Sequence, residues 1–270
     1  MADRTAWSTG VGDARHGTIT VRGYPLADMI ETLPFAASVY LTIRGELPTL
    51  AQVRVMEAAL NGILEHGFYA PTTVAARVVA SATPDNVMAA IAGSLLTVGS
   101  ITVSPQHAAQ LMHRAIALSG TLSLEEAADQ VVEELLASGR RMPGVGHPLH
   151  PEGDPRAISL RKVAQGNGVW GQHATVFELI AARFGERKGR PFPINIDGML
   201  GCVLTELGFQ PLEMPGLAAL SFMPGIIAHS VEEIGQGPKL RVVEGDYTGP
   251  APRQLPAELG YWSDRSTTTT

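Results

Sequence analysis

Met142-Pro143-Gly144-Val145-Gly146-His147-Pro148 is the stretch on which the reading of this chain turns. It lies in a segment, Arg140 to Arg156, that reads as loop, with prolines at 143, 148, 151 and 155 and glycines at 144, 146 and 153. A connector this long inside a helical protein is often functional. Gly144 and Gly146 let the backbone approach a ligand and turn its N–H groups inward. The prolines stiffen the loop and fix where His147 points, and a histidine held in this way suits acid/base work near neutral pH. The competing reading is a plain helix-to-helix connector with a surface histidine. A metal site built from His147, His150 and Asp154 is disfavoured, because a proline-broken loop converges three ligands poorly.

Outward from this loop the chain is nearly all helical. Thr18–Val21 alternate polar and apolar before the turn Gly23-Tyr24-Pro25, which predicts a short strand or hairpin arm. Thr49 can cap a helix with the stripe Val53, Met56, Leu60 and Ile63, ending near Gly67. The next helix starts at Thr72 or Thr73 and runs to Ser81. A third, opened by Pro84-Asp85 and running to Gly99, is rich in Ala and Gly and so suits a tightly packed helix pair, within one chain or between two. Pro105 begins a helix toward Leu118, and Ser123 with Glu126 forms a capping box ahead of Val131, Val132, Leu135 and Leu136. Beyond the loop, Ala157–Ala164, Gln172–Phe184 and Asp197–Leu207 read as helices, as does Leu217–Glu233 with an interruption at Pro224-Gly225.

Composition narrows the function classes. The chain has 270 residues, is 45% hydrophobic and 17% charged, and carries a formal net charge of −6, so it buries a sizeable core and lacks the basic balance of a nucleic-acid binder. Local basic clusters stand out: Arg140-Arg141, Arg161-Lys162, and Arg187-Lys188 with Arg190. They read as solvated surface or as contacts for a phosphate-rich ligand. The single cysteine, Cys202, sits among Met199, Leu200, Val203 and Leu204 and reads as a small core residue; no internal disulfide is available, which fits a reducing cytoplasm. Met1-Ala2-Asp3-Arg4 reads as no signal segment, and apolar runs such as Val87–Val98 fall short of a bilayer span. Thr267–Thr270 reads as a frayed tail.

Two further constellations carry chemistry. Asn195-Ile196-Asp197-Gly198 follows Pro193 and precedes an apolar helix. Asp197 is either an N-cap or a general base whose pKa partial burial would raise. His66, before Gly67-Phe68-Tyr69-Ala70, is either a cap on the last carbonyls of its helix or a ligand-binding residue.

In order along the chain, these segments resemble the citrate synthase family, which includes citryl-CoA lyase and the lyase module of ATP-citrate lyase. The resemblance runs from near residue 17 to near 250. It is carried by Gly17–Pro25, by Gly45-Glu46-Leu47-Pro48-Thr49, by His66–Thr72 with Ala76–Ser81, and by Pro143–Pro148 with Asp154-Pro155-Arg156. Asn195–Gly198, Gly225-Ile226-Ile227-Ala228-His229 and Tyr247-Thr248-Gly249 complete it. It implies an all-α, two-domain citrate-synthase-like fold with a short N-terminal β segment. The large domain would be discontinuous, residues 1–103 and 209–270, and the small domain, 104–208, would carry the catalytic loop.

It also implies roles. Asp197 would act as base or acid at the methyl carbon of acetyl-CoA, and His147 would exchange a proton with the oxygen of the partner 2-oxo acid. His66 and Arg156 would bind that acid, and the backbone of Pro143, Gly144, Val145 and Gly146 would cradle CoA. No metal and no covalently bound cofactor is implied; the CoA thioester is a substrate, and the family is dimeric. Three departures stand against these matches. Thr102 occupies the place of a family histidine within Ser100–Pro105, leaving Thr102, Ser104 or a water as the enolate's donor. Phe222 and Val242 stand where arginines are expected, with Arg241 one residue from the second. The short chain favours cleavage, as in citryl-CoA lyase, over condensation as in a citrate or 2-methylcitrate synthase. A catalytically weak CoA-binding paralogue with a regulatory role is the reading of another class. Phe222 also opens the choice of partner acid: one carboxylate fewer than oxaloacetate, or oxaloacetate itself with Arg241 or a second subunit's arginine filling the gap.

Overall fold

The structure is a computed structural model that describes residues 7–15, 17–99 and 101–256. The Thr267–Thr270 run, the segment Met1–Arg4 and Ser100 lie outside these residues. Among them, three two-residue strands, β1 (Gly12–Asp13), β2 (Thr20–Val21) and β3 (Tyr24–Pro25), form an antiparallel meander, the expected β segment. All the other regular structure is helical: α1 (Leu26–Thr32), α2 (Phe35–Arg44), α3 (Leu50–Leu60), α4 (Pro71–Ala82), α5 (Val87–Leu95) and α6 (Pro105–Leu118). Then follow α7 (Leu124–Ala137), α8 (Pro155–Gly166), α9 (Gln172–Lys188), α10 (Ile196–Glu206) and α11 (Met214–Gln236), with a 3-10 turn at Gly67–Tyr69. The all-α expectation holds.

Helix starts follow local chemistry. Thr49 and Gln52 cap α3 reciprocally, Thr49 Oγ1 accepting the Gln52 N–H at 3.2 Å and Gln52 Oε1 the Thr49 N–H at 2.8 Å. Ser123 and Glu126 do the same for α7, and Pro105 occupies the first turn of α6. Helix ends follow tertiary contacts instead. α3 stops at Leu60, not near Gly67, because Ser221 of α11 replaces the next turn: its Oγ donates to the Leu60 carbonyl at 2.7 Å and accepts the Ile63 N–H at 3.2 Å. The interruption expected at Pro224-Gly225 is absent, and α11 is continuous through Pro224. Gly225 lets this helix press on the segment after α3, since a Cβ there would lie 2.3 Å from the Leu64 carbonyl oxygen. α11 is therefore long and apolar enough to cross a membrane by length and composition. It buries Met214, Leu217, Phe222 and Ile226 against its neighbours, as a core helix does.

The small-residue helix α5 starts at Val87, after the Asn86 cap, and packs on α4. A Cβ on Gly93 would come within 2.9 Å of Val79 Cγ2, so the close pair expected from composition forms within this chain. A second close crossing decides the geometry of the site. Gly201 of α10 lies against α6, where a Cβ would meet the Pro105 carbonyl at 2.7 Å and Ala108 Cβ at 2.9 Å. That contact brings the first turn of α10 up against the residues leading into α6. α6, α7, α9 and α10 pack on one another, with α8 against α10. Among the described residues most of the buried hydrophobic side chains form one contiguous cluster, with Phe177, Phe209, Met112 and Leu204 fully enclosed. Cys202 is buried within it, and burial pushes its thiol well above the usual range.

Candidate active site

The loop 142–148 is seated on the start of α10 by backbone. Asn195 N donates to the Gly144 carbonyl at 3.0 Å, Gly146 N to the Pro193 carbonyl at 2.7 Å, and Asn195 Nδ2 to the Gly146 carbonyl at 2.8 Å. Gly144 has φ +77°, and a Cβ there would stand 2.6 Å from Gly198 Cα. Gly144 is thus needed for its conformation and for contact with α10, and the Gly146 N–H is taken by Pro193 rather than turned to a ligand. Asn195 also caps α10 through its side chain, accepting the Gly198 N–H at 3.1 Å. Asp197 is therefore not the N-cap; it stands in the first turn of the helix with its carboxylate released for other work.

That carboxylate accepts the Ser104 N–H at 3.2 Å. Burial raises the Asp197 pKa, and the Ser104 N–H and the positive charge of Arg156 oppose the rise. The residue before Ser104, Val103, has φ +56°, a left-handed conformation that a β-branched side chain strongly disfavours. Such strain persists where surrounding structure over-determines it. Here it sets the direction of the N–H that meets Asp197. Thr102 closes the preceding turn, its carbonyl accepting the Gly99 N–H at 3.1 Å.

Beside Arg156 lies a group of imidazoles. The rings of His66 and His147 are 5.2 Å apart edge to face, those of His147 and His150 are stacked at 4.8 Å, and His66 and His150 are 6.5 Å apart. His66 lies before the 3-10 turn and makes no side-chain cap, and its buried Nε2 has no partner. With α3 ending at Leu60, His66 does not cap that helix, and its Nε2 is left without a protein partner. Both ring nitrogens of His147 face donors: Nδ1 accepts the Leu149 N–H at 3.1 Å, and Nε2 stands 3.5 Å from Arg156 Nη2. A neutral imidazole accepts at one nitrogen only, so which of these two contacts is a hydrogen bond depends on the tautomer. Burial and then the Arg156 charge hold His66 and His147 below the ordinary histidine range.

Arg156 is itself gripped by Asp154, Nε to Oδ1 at 3.0 Å and Nη2 to Oδ2 at 2.8 Å. Asp154 caps α8, accepts the Ile196 N–H at 3.0 Å and is fully enclosed. Burial alone would raise its carboxyl, but the Arg156 and backbone hydrogen bonds outweigh it and hold the group below the usual carboxylate range. The sequence singled out Arg156 but not this partner; an Asp two residues before an Arg, at a helix start, was the available signal. Among the described residues no group of three or more His, Cys, Asp and Glu is arranged to hold a metal ion.

Other expected residues lie elsewhere. The Arg241 guanidinium bonds through Nε and Nη2 to the enclosed Glu233 of α11, which also binds Arg77. That edge is unavailable to a substrate carboxylate. Phe222 is buried in the hydrophobic cluster. Of the basic clusters, Arg161 pairs with Glu178 and Arg187 with Glu133, while Arg190 covers the Phe192 ring at 4.4 Å. Arg161, Arg190 and Phe192 line a cavity of about 670 Å³ between α8 and α9 whose wall includes Asp154.

The family model described as Citrate synthase, C-terminal domain, matches residues 50–242. The chain belongs to the citrate synthase family. It is similar to 2-methylcitrate synthase of Mycobacterium tuberculosis, 26% identical over 239 residues that make up 87% of this chain and 58% of that protein. It is 29% identical over 228 residues to putative citrate synthase 2 of Mycobacterium bovis, covering 83% and 58%. The chain thus spans a little over half the length of these curated relatives. Among solved structures it is similar to citryl-CoA lyase from Hydrogenobacter thermophilus, with a TM-score of 0.85, 31% identity, and coverage of 94% of this chain and 98% of that one. ATP citrate lyase from Methanothrix soehngenii, in complex with citrate and coenzyme A, shares the fold at a TM-score of 0.74 and 21% identity, covering 96% and 43%.

Proposed function

We propose that this protein cleaves a 3-hydroxy-3-carboxyacyl-CoA of the citryl-CoA type to acetyl-CoA and a 2-oxo acid. The observation that carries the reading is a carboxylate with a raised pKa, Asp197, and a histidine held below its ordinary range, His147, both close to the charge of Arg156. The extent of the match to a citryl-CoA lyase supports cleavage as the direction. The tertiary hydroxyl gives up its proton, the bond between the carbinol carbon and the thioester's α-carbon breaks, and its electron pair passes to the thioester enolate. Asp197, protonated, then delivers a proton to that carbon, making the methyl group of acetyl-CoA. The hydroxyl's proton passes to His147, which accepts it at Nε2 in the tautomer whose own proton is on Nδ1, and which returns it to this oxygen in the condensing direction. Thr102 or Ser104 hydroxyls remain the proposed donors to the enolate oxygen. Similarity to 2-methylcitrate synthase keeps condensation of an acyl-CoA with a 2-oxo acid as the second reading. A mass-spectrometric screen of acyl-CoA thioesters separates the two: cleavage products from citryl-CoA support the first, and condensation without such cleavage overturns it.

In this reading CoA lies along Pro143–Gly146 and reaches the cavity beside Arg161 and Arg190, whose cations suit its phosphates. A thermal-shift titration is expected to show stabilisation by CoA of about 2.7 kcal/mol at a concentration 100-fold above the dissociation constant. No response at millimolar CoA or acetyl-CoA contradicts CoA binding. We also propose that residues 104–208 form a small domain against a large one, that the protein acts in the cytoplasm, and that it is a homodimer. An exposed apolar row on α11, Ile227, Val231 and Ile234, supports the dimer.

The burial of Phe222 in the core argues against that ring meeting a substrate and favours oxaloacetate over a smaller partner acid. Oxaloacetate is therefore the proposed 2-oxo acid. Citryl-CoA should exceed citramalyl-CoA, which lacks the distal carboxylate, by tenfold or more in kcat/KM, about 1.4 kcal/mol. Equal rates, or a preference for citramalyl-CoA, would reverse that assignment.

A further inference from the structure

A dicarboxylate acid in a closed site needs a cation for each end, since an unpaired buried charge is costly. Arg156 supplies one, through the edge that Asp154 leaves open. Arg241, the sequence's candidate for the other, is tied to Glu233. What the site holds in its place is a third imidazole. His150 stacks on His147 at 4.8 Å and faces His66 at 6.5 Å, and its half-buried position comes from the turn in which His150 N donates to the His147 carbonyl at 3.3 Å.

We propose that His150 is a specificity residue that receives the second carboxylate of the partner acid as an imidazolium, so that a dicarboxylate binds together with a proton. This rests on the functional reading above. The charged and titratable groups around His150 are His147 and Glu152 on its own loop, His66 with Tyr69 from the segment after α3, and Asp154 and Arg156 at the start of α8. Glu152 is exposed, and Asp154 is already matched by Arg156. In the empty site the environment of His150 is set by the other imidazoles and by Arg156, whose Nη2 stands 3.5 Å from the ring on which His150 stacks. A dianion reverses the sign of that environment: two carboxylates against Arg156 alone leave one negative charge, and a proton on His150 cancels it. The sign of the linkage follows. The bound state holds more protons than the free state, so affinity for the dianion strengthens as pH falls and weakens as it rises through the histidine range. A monocarboxylate acid is matched by Arg156 and needs no such proton.

Isothermal titration calorimetry on the full chain with CoA present, at neutral pH, reads this directly. Oxaloacetate and pyruvate are titrated in buffers of different ionisation enthalpy, which gives the number of protons taken up. Oxaloacetate is expected to take up more protons than pyruvate. His150→Gln should remove that excess and weaken oxaloacetate roughly tenfold or more, the worth of a hydrogen bond between charged groups, while pyruvate changes little. His150→Phe keeps a ring stacked on His147 without its titration, and should behave as His150→Gln. Oxaloacetate binding to wild type with no excess uptake, or uptake that persists in both variants, overturns the role of His150 alone. If neither acid binds the wild type, the functional reading falls with it.

Discussion

Asp197→Asn should slow the chemical step by about 10²–10⁴-fold while CoA still binds. The carboxylate is placed by two backbone devices that the substitution leaves intact, the Asn195 cap and the Ser104 N–H. Asparagine has nearly the same shape but neither gives nor takes a proton at the methyl carbon. The loss therefore belongs in kcat, and thermal stabilisation by CoA should persist. His147→Ala should cost a similar factor, because it removes the proton at the oxygen and the ring on which His66 and His150 pack. Single-turnover cleavage of citryl-CoA, followed by acetyl-CoA formation, measures both. Near-normal turnover in both variants would dissociate these residues from the chemistry.

The second large effect is on folding. Gly198→Ala should destabilise the protein by about 3 kcal/mol or more, beyond the usual overpacking cost, because the added methyl meets backbone rather than a movable side chain. A Cβ at this position would sit 2.2 Å from the Gly144 carbonyl oxygen and 2.9 Å from its carbon. For a chain of this size that corresponds to a fall in Tm of roughly 6–12 °C. The loop carrying His147 must move for the methyl to fit, so the folded fraction should also lose activity. A change in Tm under about 2 °C would show that the loop does not press on α10 as described.

Much of this architecture was legible where local chemistry decides. Pro105 and the Ser123–Glu126 box mark helix starts that the structure keeps, and Thr49 caps as expected. What escaped the sequence was decided by partners far along the chain. α3 ends early because Ser221 stands over its last turn, and α11 passes through Pro224 with Gly225 pressed on the Leu64 carbonyl. Neither contact leaves a local mark; Pro-Gly by itself reads as a stop. α1 and α2 went unread individually, although Tyr40 of α2 anchors the core by donating to the Leu207 carbonyl at 3.1 Å. In the candidate site, the motif order singled out His66, His147, Arg156 and Asp197. It did not tell which of Asn195 and Asp197 caps the helix, since Asn and Asp both do so, and only the Asn195–Gly198 hydrogen bond distinguishes them.

The bond between Arg241 and Glu233 ties the segment after α11 to the interior. Past Gln236 the described chain has no helix or strand, yet Arg241 reaches back to Glu233 and, through its backbone N–H, to Ser81 Oγ at 2.9 Å. A carboxylate with no exposed surface is thus neutralised partly from a strand of coil that looks dispensable. The coil works as a clasp, and shortening the protein ahead of residue 241 would open it from the inside, leaving Arg77 as the remaining cation on that carboxylate. Tags and fusions belong beyond the clasp rather than in place of it.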